Sequence, residues 1–555
     1  MIWGIVVSTA SILLSAFVLS FVALLVFIWS QSKGVFDRHS SGAEVIFAPG
    51  EVGRAEEPAA TQGAQEQLQN LLDAQARAHP GPTADLVALQ ERARADASTG
   101  PLVLFFFCCA IVWLVVASGA GLTASVKLHE PDWLVQQAWL TFGRIRTIHL
   151  NAVAYGWAPM AGLGITMFVI PRLLKTPLIG ARYALAGAVL WNAALIAGLG
   201  SIASGISDGM EWLEIPWQID MMFAIGGALM AMPLIYTLVN RRVDHLYVSV
   251  WYMACALFWL PVLFIVAKIP GLHQGVQQAA VNWWFGHNVL GLFYTPLALA
   301  SVYYFLPKVI GRPIQSYNLS LLGFWGLAFF YGQVGGHHLI GGPVPQWLTT
   351  LSIVQSMMMI IPVIAFTINQ YQTLKGNLSV MRFSPTLRFI GVGGLMYTAS
   401  SIQGSFEALR SINAVTHFTH YTVGHAHLGL YGFVSLVFFG AMYFVLPRIT
   451  SREWPYPKLI AAHFWLSTIG IAIYFLSLSI GGWLQGLAML DAKQPFMASV
   501  AVTLPYLQGR SVGGSLMVLS HLVFAWHFVC LVLNLGPHRQ EAARFSAVWT
   551  KEAAR

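Results

Sequence analysis

Six of the seventeen histidines stand in apolar stretches, where an ionisable side chain is costly and usually has a function. In chain order they are His149, His287, His337, His338, His425 and His427. A lone histidine on an apolar helix is more often a hydrogen-bonded core residue. The order and spacing of these six favour metal ligands instead.

The spacing of the six histidines separates two kinds of site. His425 and His427 are two residues apart, so on an α-helix they project about 200° from each other. One helix can therefore supply an axial ligand to each of two hemes, with His149 as the second ligand of one of them. That arrangement gives one six-coordinate iron and one iron with an open position. The remaining imidazoles, of His287, His337 and His338, can bind copper and leave one coordination position for a gas.

The elements that carry these histidines are predicted to be membrane-spanning helices. Of 555 residues, 57% are hydrophobic and 9% are charged, whereas a soluble protein has about 25% charged residues. Mean hydropathy is +0.65. A helix needs roughly 20 apolar residues to cross a bilayer, and thirteen such runs are present. They fall near 3–29, 102–123, 147–170, 182–206, 217–239, 247–267, 282–306, 318–339, 350–369, 387–408, 419–446, 459–482 and 513–536. The predicted fold is an all-α polytopic membrane protein, with the last twelve helices forming one bundle.

The charge distribution predicts orientation rather than a nucleic-acid partner. The formal charge is +8, but most basic residues lie in alternate short loops, as Arg241, Arg242, Arg448 and Arg452 do. By the positive-inside rule those loops face the cytoplasm. The amino terminus is then outside and the carboxyl terminus inside.

The chain is expected to have four parts. Residues 1–30 form an extra helix, residues 31–100 a polar cytoplasmic linker, residues 101–540 the catalytic domain, and residues 541–555 a cytoplasmic tail. The linker is rich in Ala, Gln, Glu, Arg and Pro, which is typical of a disordered tether. The alternative for its second part is a short amphipathic helix from about Ala84 to Ala97. The four cysteines lie in predicted spans and no CxxCH motif is present, so any c-type heme belongs to another chain.

Four stretches resemble the heme-copper oxygen reductases, and among them the C-type or cbb3 cytochrome c oxidases. They are FGRIRTIHLNAV (142–153), WWFGHN (283–288), FFYGQVGGHH (329–338) and NAVTHFTHYTVGHAHLGLYGF (413–433). The resemblance implies that His149 and His427 bind a low-spin heme b and that His425 is the proximal ligand of a high-spin heme b. It implies that His287, His337 and His338 hold copper.

The same resemblance implies roles for residues around the metals. Tyr331 matches a tyrosine that is covalently joined to a copper-ligating histidine and supplies an electron and a proton when the O–O bond is cleaved. Arg410, with Arg144 and Arg146, is expected to pair with heme propionates. Tyr303, Tyr317 and Ser320 are expected to lie on the proton path. Glu211 and Glu214 are expected to bind calcium. The alternatives are interfacial anchoring for these arginines and tyrosines, and loop acids without a metal.

Two features depart from the family. The family has a glutamate where this chain has Gln403, and a neutral amide cannot carry a proton as a carboxylate can. Glu407, four residues later on the same helical face, is the predicted substitute. The stretch at 26–53 is similar to a small protein that assists maturation of cbb3 oxidases, and the alternative is an unrelated anchor.

The predicted function is that of the catalytic subunit of a respiratory cytochrome c oxidase in a bacterial inner membrane. It would pass electrons from cytochrome c to oxygen and translocate protons. The expected partners are membrane-anchored c-type cytochrome subunits, soluble cytochrome c and the lipid bilayer, with no nucleic acid. The alternative is a nitric oxide reductase, which typically has a glutamate four residues after the first metal-binding histidine. Gly291 occupies that position, and both it and Tyr331 favour oxygen.

Overall fold

The structure is a computed structural model that describes residues 18, 21, 22, 25, 29, 32, 41–47, 52, 84–539 and 542–545. From residue 100 onward it contains twelve helical spans, labelled α1 to α12 in chain order. They are Gly100–Lys127, Phe142–Leu173, Ala181–Ser204, Trp217–Val239, Val248–Lys268, Val276–Ile310, Tyr317–Phe330, Gln346–Leu374, Pro385–Glu407, His420–Thr450, Pro457–Leu490 and Phe496–Val532. Most of the predicted run at 3–29 and of the tail at 541–555 lies outside the described residues.

The bundle is all-α, as the composition predicts. No strand occurs among the described residues. Ten of the spans, all except α7 and α9, are long and apolar enough to cross a membrane. The fold class is therefore confirmed, and each of the last twelve predicted runs is helical.

Three spans form the centre of the bundle. In α2, α6 and α10, 94%, 89% and 89% of the most apolar window is buried, whereas no other candidate span exceeds 56%. The central spans carry His149, His287 and the pair His425 and His427. Ligand-bearing helices are thus surrounded by protein, while the outer helices present apolar side chains on the lipid side.

Each central span contains a π-helical segment shortly after its histidine. The segments are Ala152–Trp157 in α2, Leu290–Tyr294 in α6 and Leu428–Ser435 in α10. A π-helical turn inserts one residue into an α-helix and is frequent at functional sites. Periodicity in the sequence did not predict these turns.

Side-chain caps fix where three of the site-bearing helices begin. Ser316 accepts a hydrogen bond from Leu319 N at the start of α7, and Ser384 caps α9 in the same way. Thr419 accepts from Tyr421 N at the start of α10. Each oxygen satisfies a backbone N–H that has no partner within its helix.

The two largest differences from the predicted helix boundaries are at the start of α12 and the end of α7. α12 begins at Phe496 instead of 513, because Ser499 and Thr503 bond back to carbonyls of their own helix and so fit inside it. α7 ends at Phe330 instead of 339, where a glycine-containing turn follows. Gly335 has a φ of 122°, which only glycine adopts readily.

Two segments that precede the bundle pack against it. Ala84–Ala97 is helical, which agrees with the alternative of a short helix rather than with a disordered tether for this part of the linker. Asp96 of this helix forms a 2.8 Å ion pair with Arg172 of α2. In the segment 42–47, Ala43 and Ile46 are buried in the main hydrophobic core. Lys308 of α6 donates to the Ile46 carbonyl at 3.2 Å.

Candidate functional site

Three of the predicted ligands form a cluster between the first half of α6 and the turn that follows α7. His287 lies on α6, and His337 and His338 lie on the turn Gly336–Leu339 that follows α7. One ring nitrogen from each lies within 4.8 Å of the others. The donor set is three imidazoles, which suits copper. The residues therefore fit the ion that the resemblance implies.

Neighbouring side chains hold the cluster in place. Ser352 and Ser356 of α8 each lie 3.2 Å from His337 Nδ1, which leaves Nε2 for a metal. The His338 ring stacks on Trp283 with 4.1 Å between ring centroids. Such outer contacts fix the ring orientation of metal ligands.

Tyr331 lies beside the cluster. Its hydroxyl is 3.2 Å from His287 Nδ1, and the two ring centroids are 5.8 Å apart. The ring fills the space next to Gly291, so that a Cβ built at Gly291 would overlap it. The structure thus places Tyr331 next to a predicted copper ligand, in the space that a side chain at position 291 would need.

His149 and His427 face each other across a narrow gap between α2 and α10. Their ring centroids are 6.1 Å apart and their planes differ by 8°. His149 Nδ1 donates to the Ala117 carbonyl at 2.8 Å and His427 Nδ1 to the Val423 carbonyl at 2.9 Å, so Nε2 is the nitrogen of each ring that could bind a metal. In this structure His427 Nε2 lies 3.2 Å from the Tyr474 hydroxyl. The gap accommodates one metal with two bonds of about 2 Å, so these residues fit a bis-histidine heme.

His425 lies on the opposite side of α10 from His427, as the two-residue spacing predicts. Its Nδ1 is buried and has no hydrogen-bond partner. Gly404 of α9 faces the ring, and a Cβ there would lie 2.7 Å from His425 Cε1. His425 interacts electrostatically with His287 and His337, so it lies on the side of the imidazole cluster and fits an iron next to copper.

Arg510 is a residue that the sequence analysis missed. It lies inside α12, interacts electrostatically with His149 and His427, and its guanidinium carbon is 5.4 Å from the Tyr474 ring centroid. Its buried Nε has no hydrogen-bond partner. A charged residue inside a membrane helix is by default functional, but the predicted start of this helix at 513 placed Arg510 in a loop.

The three arginines that were expected to pair with heme propionates have protein partners in this structure. Arg410 donates to Thr350 Oγ1 at 2.7 Å and to Gln346 Oε1 at 3.3 Å. Arg144 donates to the Ala203 carbonyl. Arg146 forms an ion pair with Glu211.

Glu211 and Glu214 have separate partners. Glu211 is paired with a guanidinium, and Glu214 Oε2 accepts a hydrogen bond from Asn151 at 2.9 Å. Burial raises the pKa of Glu214, and the hydrogen bond from Asn151 lowers it in part. The two carboxylates are not grouped as a metal site among the described residues.

The predicted proton-path residues are buried on the end of the bundle away from the histidines. The Tyr317 hydroxyl lies 3.0 Å from His245 Nε2, and Ser320 Oγ donates to the Tyr317 carbonyl. Tyr303 stacks on Tyr252 with 5.9 Å between ring centroids. These hydroxyls lie along the half of α5, α6 and α7 that is away from the six histidines. They do not form one continuous chain of direct hydrogen bonds.

Glu407 lies at the end of α9 near His425. It is 5% exposed, accepts a hydrogen bond from the Thr422 hydroxyl, and interacts electrostatically with His425. Gln403, one turn earlier, has a buried Oε1 with no partner. The structure therefore places Glu407 near His425, the predicted proximal ligand, as a substitute for the missing carboxylate requires.

The chain is similar to known oxidase subunits. The family model for cytochrome c and quinol oxidase polypeptide I matches residues 101–516. The cbb3-type cytochrome c oxidase subunit CcoN1 of Stutzerimonas stutzeri is 32% identical, over 81% of this chain and 98% of that protein. Cytochrome c oxidase subunit 1 of Rhodobacter capsulatus is 33% identical, over 70% and 76%. A solved heme-copper terminal oxidase dimer shares the fold, with a TM-score of 0.61 and 16% identity over 81% of this chain and 87% of that chain.

Proposed function

The chain belongs to the cytochrome c and quinol oxidase polypeptide I family, and from that premise we propose how its residues serve a cbb3-type cytochrome c oxidase. As the catalytic subunit of a terminal oxidase, it passes electrons from cytochrome c to oxygen, which is reduced to water with proton translocation. The observation that carries the proposal is the arrangement of six histidines in two sets on either side of α10.

In this proposal, one set of histidines holds one metal group and the other set holds two. His149 and His427 bind a low-spin heme b, and His425 binds a high-spin heme b. His287, His337 and His338 bind one copper ion. When bound, these groups supply electron transfer and the site at which oxygen is reduced. Backbone carbonyls and a serine hydroxyl that contact the Nδ1 atoms of His149, His427 and His337 orient these three rings.

Tyr331 is the catalytic side chain. Its hydroxyl can release a proton and an electron towards the reaction site, because it lies beside His287 and inside the protein. The proposed crosslink joins a Tyr331 ring carbon to a His287 ring nitrogen. Its formation removes one hydrogen from each atom, and the two electrons and two protons pass to oxygen.

Protons are proposed to reach Tyr331 from the end of the bundle that carries Tyr317, Ser320 and Tyr303. A Cβ built at Gly323 would lie 3.2 Å from the Tyr252 hydroxyl and 3.7 Å from that of Tyr303, so glycine leaves room beside both. The Tyr252 hydroxyl is buried without a partner, which is typical of a group that binds an internal water.

Glu407 is proposed to be the proton-carrying carboxylate in place of the family glutamate. It is buried beside Thr422 and close to His425. A Glu407→Gln variant with unchanged turnover would eliminate this role.

Orientation and partners follow from charge and from the family. The basic loops place the amino terminus outside and the carboxyl terminus in the cytoplasm. The heme-ligand ends of α2 and α10 then face outward, where membrane-anchored c-type cytochrome subunits would deliver electrons. Arg510, with its unpartnered Nε, joins Arg410, Arg144 and Arg146 as a proposed partner of heme propionates.

A calcium ion between Glu211 and Glu214 is a further proposal from the resemblance. Arg146 is paired with Glu211 and Asn151 donates to Glu214, so calcium would replace these two partners. Calcium analysis of the purified enzyme before and after chelation tests it.

The deciding experiment combines metal analysis with turnover. Copper and heme contents of the purified complex are measured together with oxygen consumption from reduced cytochrome c, in the wild type and in Tyr331→Phe. We expect one copper per two b-type hemes, and oxygen uptake abolished by the substitution. Iron in place of copper, or indifference to Tyr331→Phe, would refute the proposed site. Nitric oxide reduction is not favoured, because Tyr331 fills the space beside Gly291.

A further inference from the structure

Three buried histidines lie outside the proposed metal centre. His463 of α11 is 0% exposed, and His521 and His527 of α12 are 5% and 0% exposed. An ionisable side chain inside a membrane protein marks a functional site, and proton relays are one such function. None of the three has a role in the oxidase site described above.

A polar cavity lies at the end of the bundle away from the proposed metal ligands. It has a volume of about 280 Å³ and is lined by Glu453, Cys530, His538 and Arg539 among others. Glu453 lies in the loop between α10 and α11 and is 6% exposed. Its Oε1 accepts a hydrogen bond from Trp454 N at 2.9 Å, while its buried Oε2 has no partner.

Glu453 is suited to exchange a proton with water in that cavity. Burial raises its pKa to about 7, while backbone N–H groups and the charges of Arg448 and Arg539 act in the opposite direction. A carboxyl group with this pKa is present in both protonation states near neutral pH.

Two histidines continue from Glu453 into the bundle. The His527 ring lies 4.6 Å from the ring of Trp454, and its Nδ1 is buried without a partner. His463 Nδ1 is 2.9 Å from the Tyr443 hydroxyl, its Nε2 has no partner, and it interacts electrostatically with His527. Buried polar atoms without a protein partner are commonly satisfied by internal waters, which would link these side chains.

Hydroxyl groups extend the series towards the metal ligands. Ser467 lies one turn after His463 on α11, and its Oγ is 3.0 Å from Ser520 Oγ of α12. Ser520 Oγ is 3.5 Å from the Tyr431 hydroxyl. Both serines are fully buried. The series therefore crosses from α11 through α12 to α10.

The series ends beside the proposed low-spin heme. Tyr431 lies four residues after His427, on the same side of α10 and opposite to His425. Its hydroxyl is 3.0 Å from His521 Nε2, and His521 Nδ1 is 2.6 Å from Ser118 Oγ. The side of α10 that faces copper is served by Tyr303 and Tyr317, so this second series reaches a different group.

We propose that a second proton track runs from the cavity to Tyr431 and delivers one proton to the His521 imidazole when the low-spin heme is reduced. Its members are Glu453, His527, His463, Ser467, Ser520 and Tyr431. This inference rests on the proposed binding of that heme by His149 and His427. An electron added in a low-dielectric interior is costly unless a positive charge accompanies it. The electron comes from the oxidase's cytochrome donor and the proton from water in the cavity, so no other reactant is consumed.

The test measures proton uptake apart from oxygen chemistry. The purified enzyme is inhibited with carbon monoxide and reduced stepwise. A pH-indicator dye then reports protons bound per electron on the low-spin heme, whose absorbance is followed in parallel. The variants are Glu453→Gln at the cavity and Tyr431→Phe at the inner end, both nearly isosteric. Glu130→Gln, whose side chain is 65% exposed, is the matched control.

The expected result is that proton uptake falls at least threefold in both variants and is unchanged in Glu130→Gln. Oxygen consumption should stay within twofold of wild type in all three, because the Tyr303 and Tyr317 path supplies the chemistry. Unchanged uptake in the two variants, or no uptake in wild type, would overturn the inference. Lost oxygen consumption with normal uptake would also overturn it. A wild type that holds both hemes but consumes no oxygen would refute the proposed function instead.

Discussion

Tyr331 and Gly291 are coupled, because the tyrosine ring takes the space that any side chain at position 291 would need. This single contact links two observations made separately in the sequence, namely a tyrosine before the histidine pair and a glycine four residues after His287. A residue with a Cβ at 291 must move Tyr331, and His287 lies in contact with Tyr331. The identity of one glycine therefore controls the geometry of the proposed copper ligands.

Gly291→Ala is expected to lower oxygen consumption and copper content while both hemes remain bound. Overpacking of this kind costs about 1–3 kcal/mol and displaces the neighbouring ring. The measurement is copper per heme together with turnover. Gly332→Ala is the control, because nothing lies within 4 Å of a Cβ built there. Equal losses in the two variants would show that the contact with Tyr331 is not the cause.

The buried carboxyl group of Glu453 should make the free energy of unfolding depend on pH. Its pKa is raised from 4.5 to about 7 in the folded chain. The carboxyl group is therefore neutral on folding at low pH, and the folded state loses stability as pH rises from the unfolded pKa to about 7. Glu453→Gln stays neutral throughout. Relative to wild type it should gain about 1–3 kcal/mol of stability between pH 5 and pH 8, measured by thermal unfolding in detergent. A difference from wild type that does not vary with pH would contradict the raised pKa.

Among the elements, the turn after α7 depends on a glycine conformation. Gly335 has a φ of 122°, and a Cβ there would lie 2.5 Å from the Trp283 carbonyl and 3.0 Å from His287 Cβ. The turn brings His337 and His338 to His287, so its backbone sets the distances within the cluster. Helical periodicity alone would continue α7 and separate these side chains.

We expect Gly335→Ala to abolish copper binding. The added methyl group would push the turn away from α6 and separate His337 from His287. Copper analysis and the heme absorption spectrum measure the effect. Gly341→Ala has the matched positive φ of 85° but open space around its Cβ, so it should retain copper and lose only about 1–2 kcal/mol of stability to backbone strain. Full copper occupancy in Gly335→Ala would contradict this account.

The segment 42–47 is an element outside the family match that packs on the catalytic bundle. Ala43 and Ile46 are 4% and 7% exposed, and Phe47 lies 5.3 Å from Lys308 Nζ. A Cβ built at Gly42 would lie 3.0 Å from His245 Nε2. The segment therefore covers His245 and Tyr317 at this end of the bundle.

Ile46→Asp should release this segment, because the change puts a carboxylate in place of an apolar side chain that is 7% exposed and packs in the main hydrophobic core. We expect His245 to become at least several-fold more reactive towards diethyl pyrocarbonate, as quantified by mass spectrometry. Val45→Asp changes a neighbouring side chain that is 40% exposed, and it should leave the reactivity as in wild type. No increase for Ile46→Asp would mean that the segment does not shield His245.

For the whole molecule, the basic loops predict one orientation in the membrane. Ser379 and Lys493 lie in exposed loops at opposite ends of the bundle. Each is replaced by one added cysteine in a separate variant. In right-side-out spheroplasts, a membrane-impermeant maleimide should label Lys493→Cys and leave Ser379→Cys unlabelled until the membrane is opened. The parent chain, whose four cysteines are Cys108, Cys109, Cys255 and Cys530, gives the background. The reverse labelling would invert the proposed topology.

The sequence by itself determined the fold class and the order of the elements. Low charge and long apolar runs leave only a helical bundle, because every backbone polar group in lipid must be bonded within its own helix. The two-residue spacing of His425 and His427 also predicted opposite sides of α10, since helix geometry is local. Chain order, apolar length and local periodicity were sufficient for these conclusions.

Only the tertiary structure decided which side chains meet. The distance of 6.1 Å between the His149 and His427 rings, the position of Tyr331 beside Gly291, and the electrostatic contact of Arg510 with both rings join residues far apart in sequence. The π-helical turns and the early start of α12 were also missed, because hydrogen bonds and packing against neighbouring helices override single-helix periodicity. The buried series from Glu453 to Tyr431 became visible only when α10, α11 and α12 were packed together.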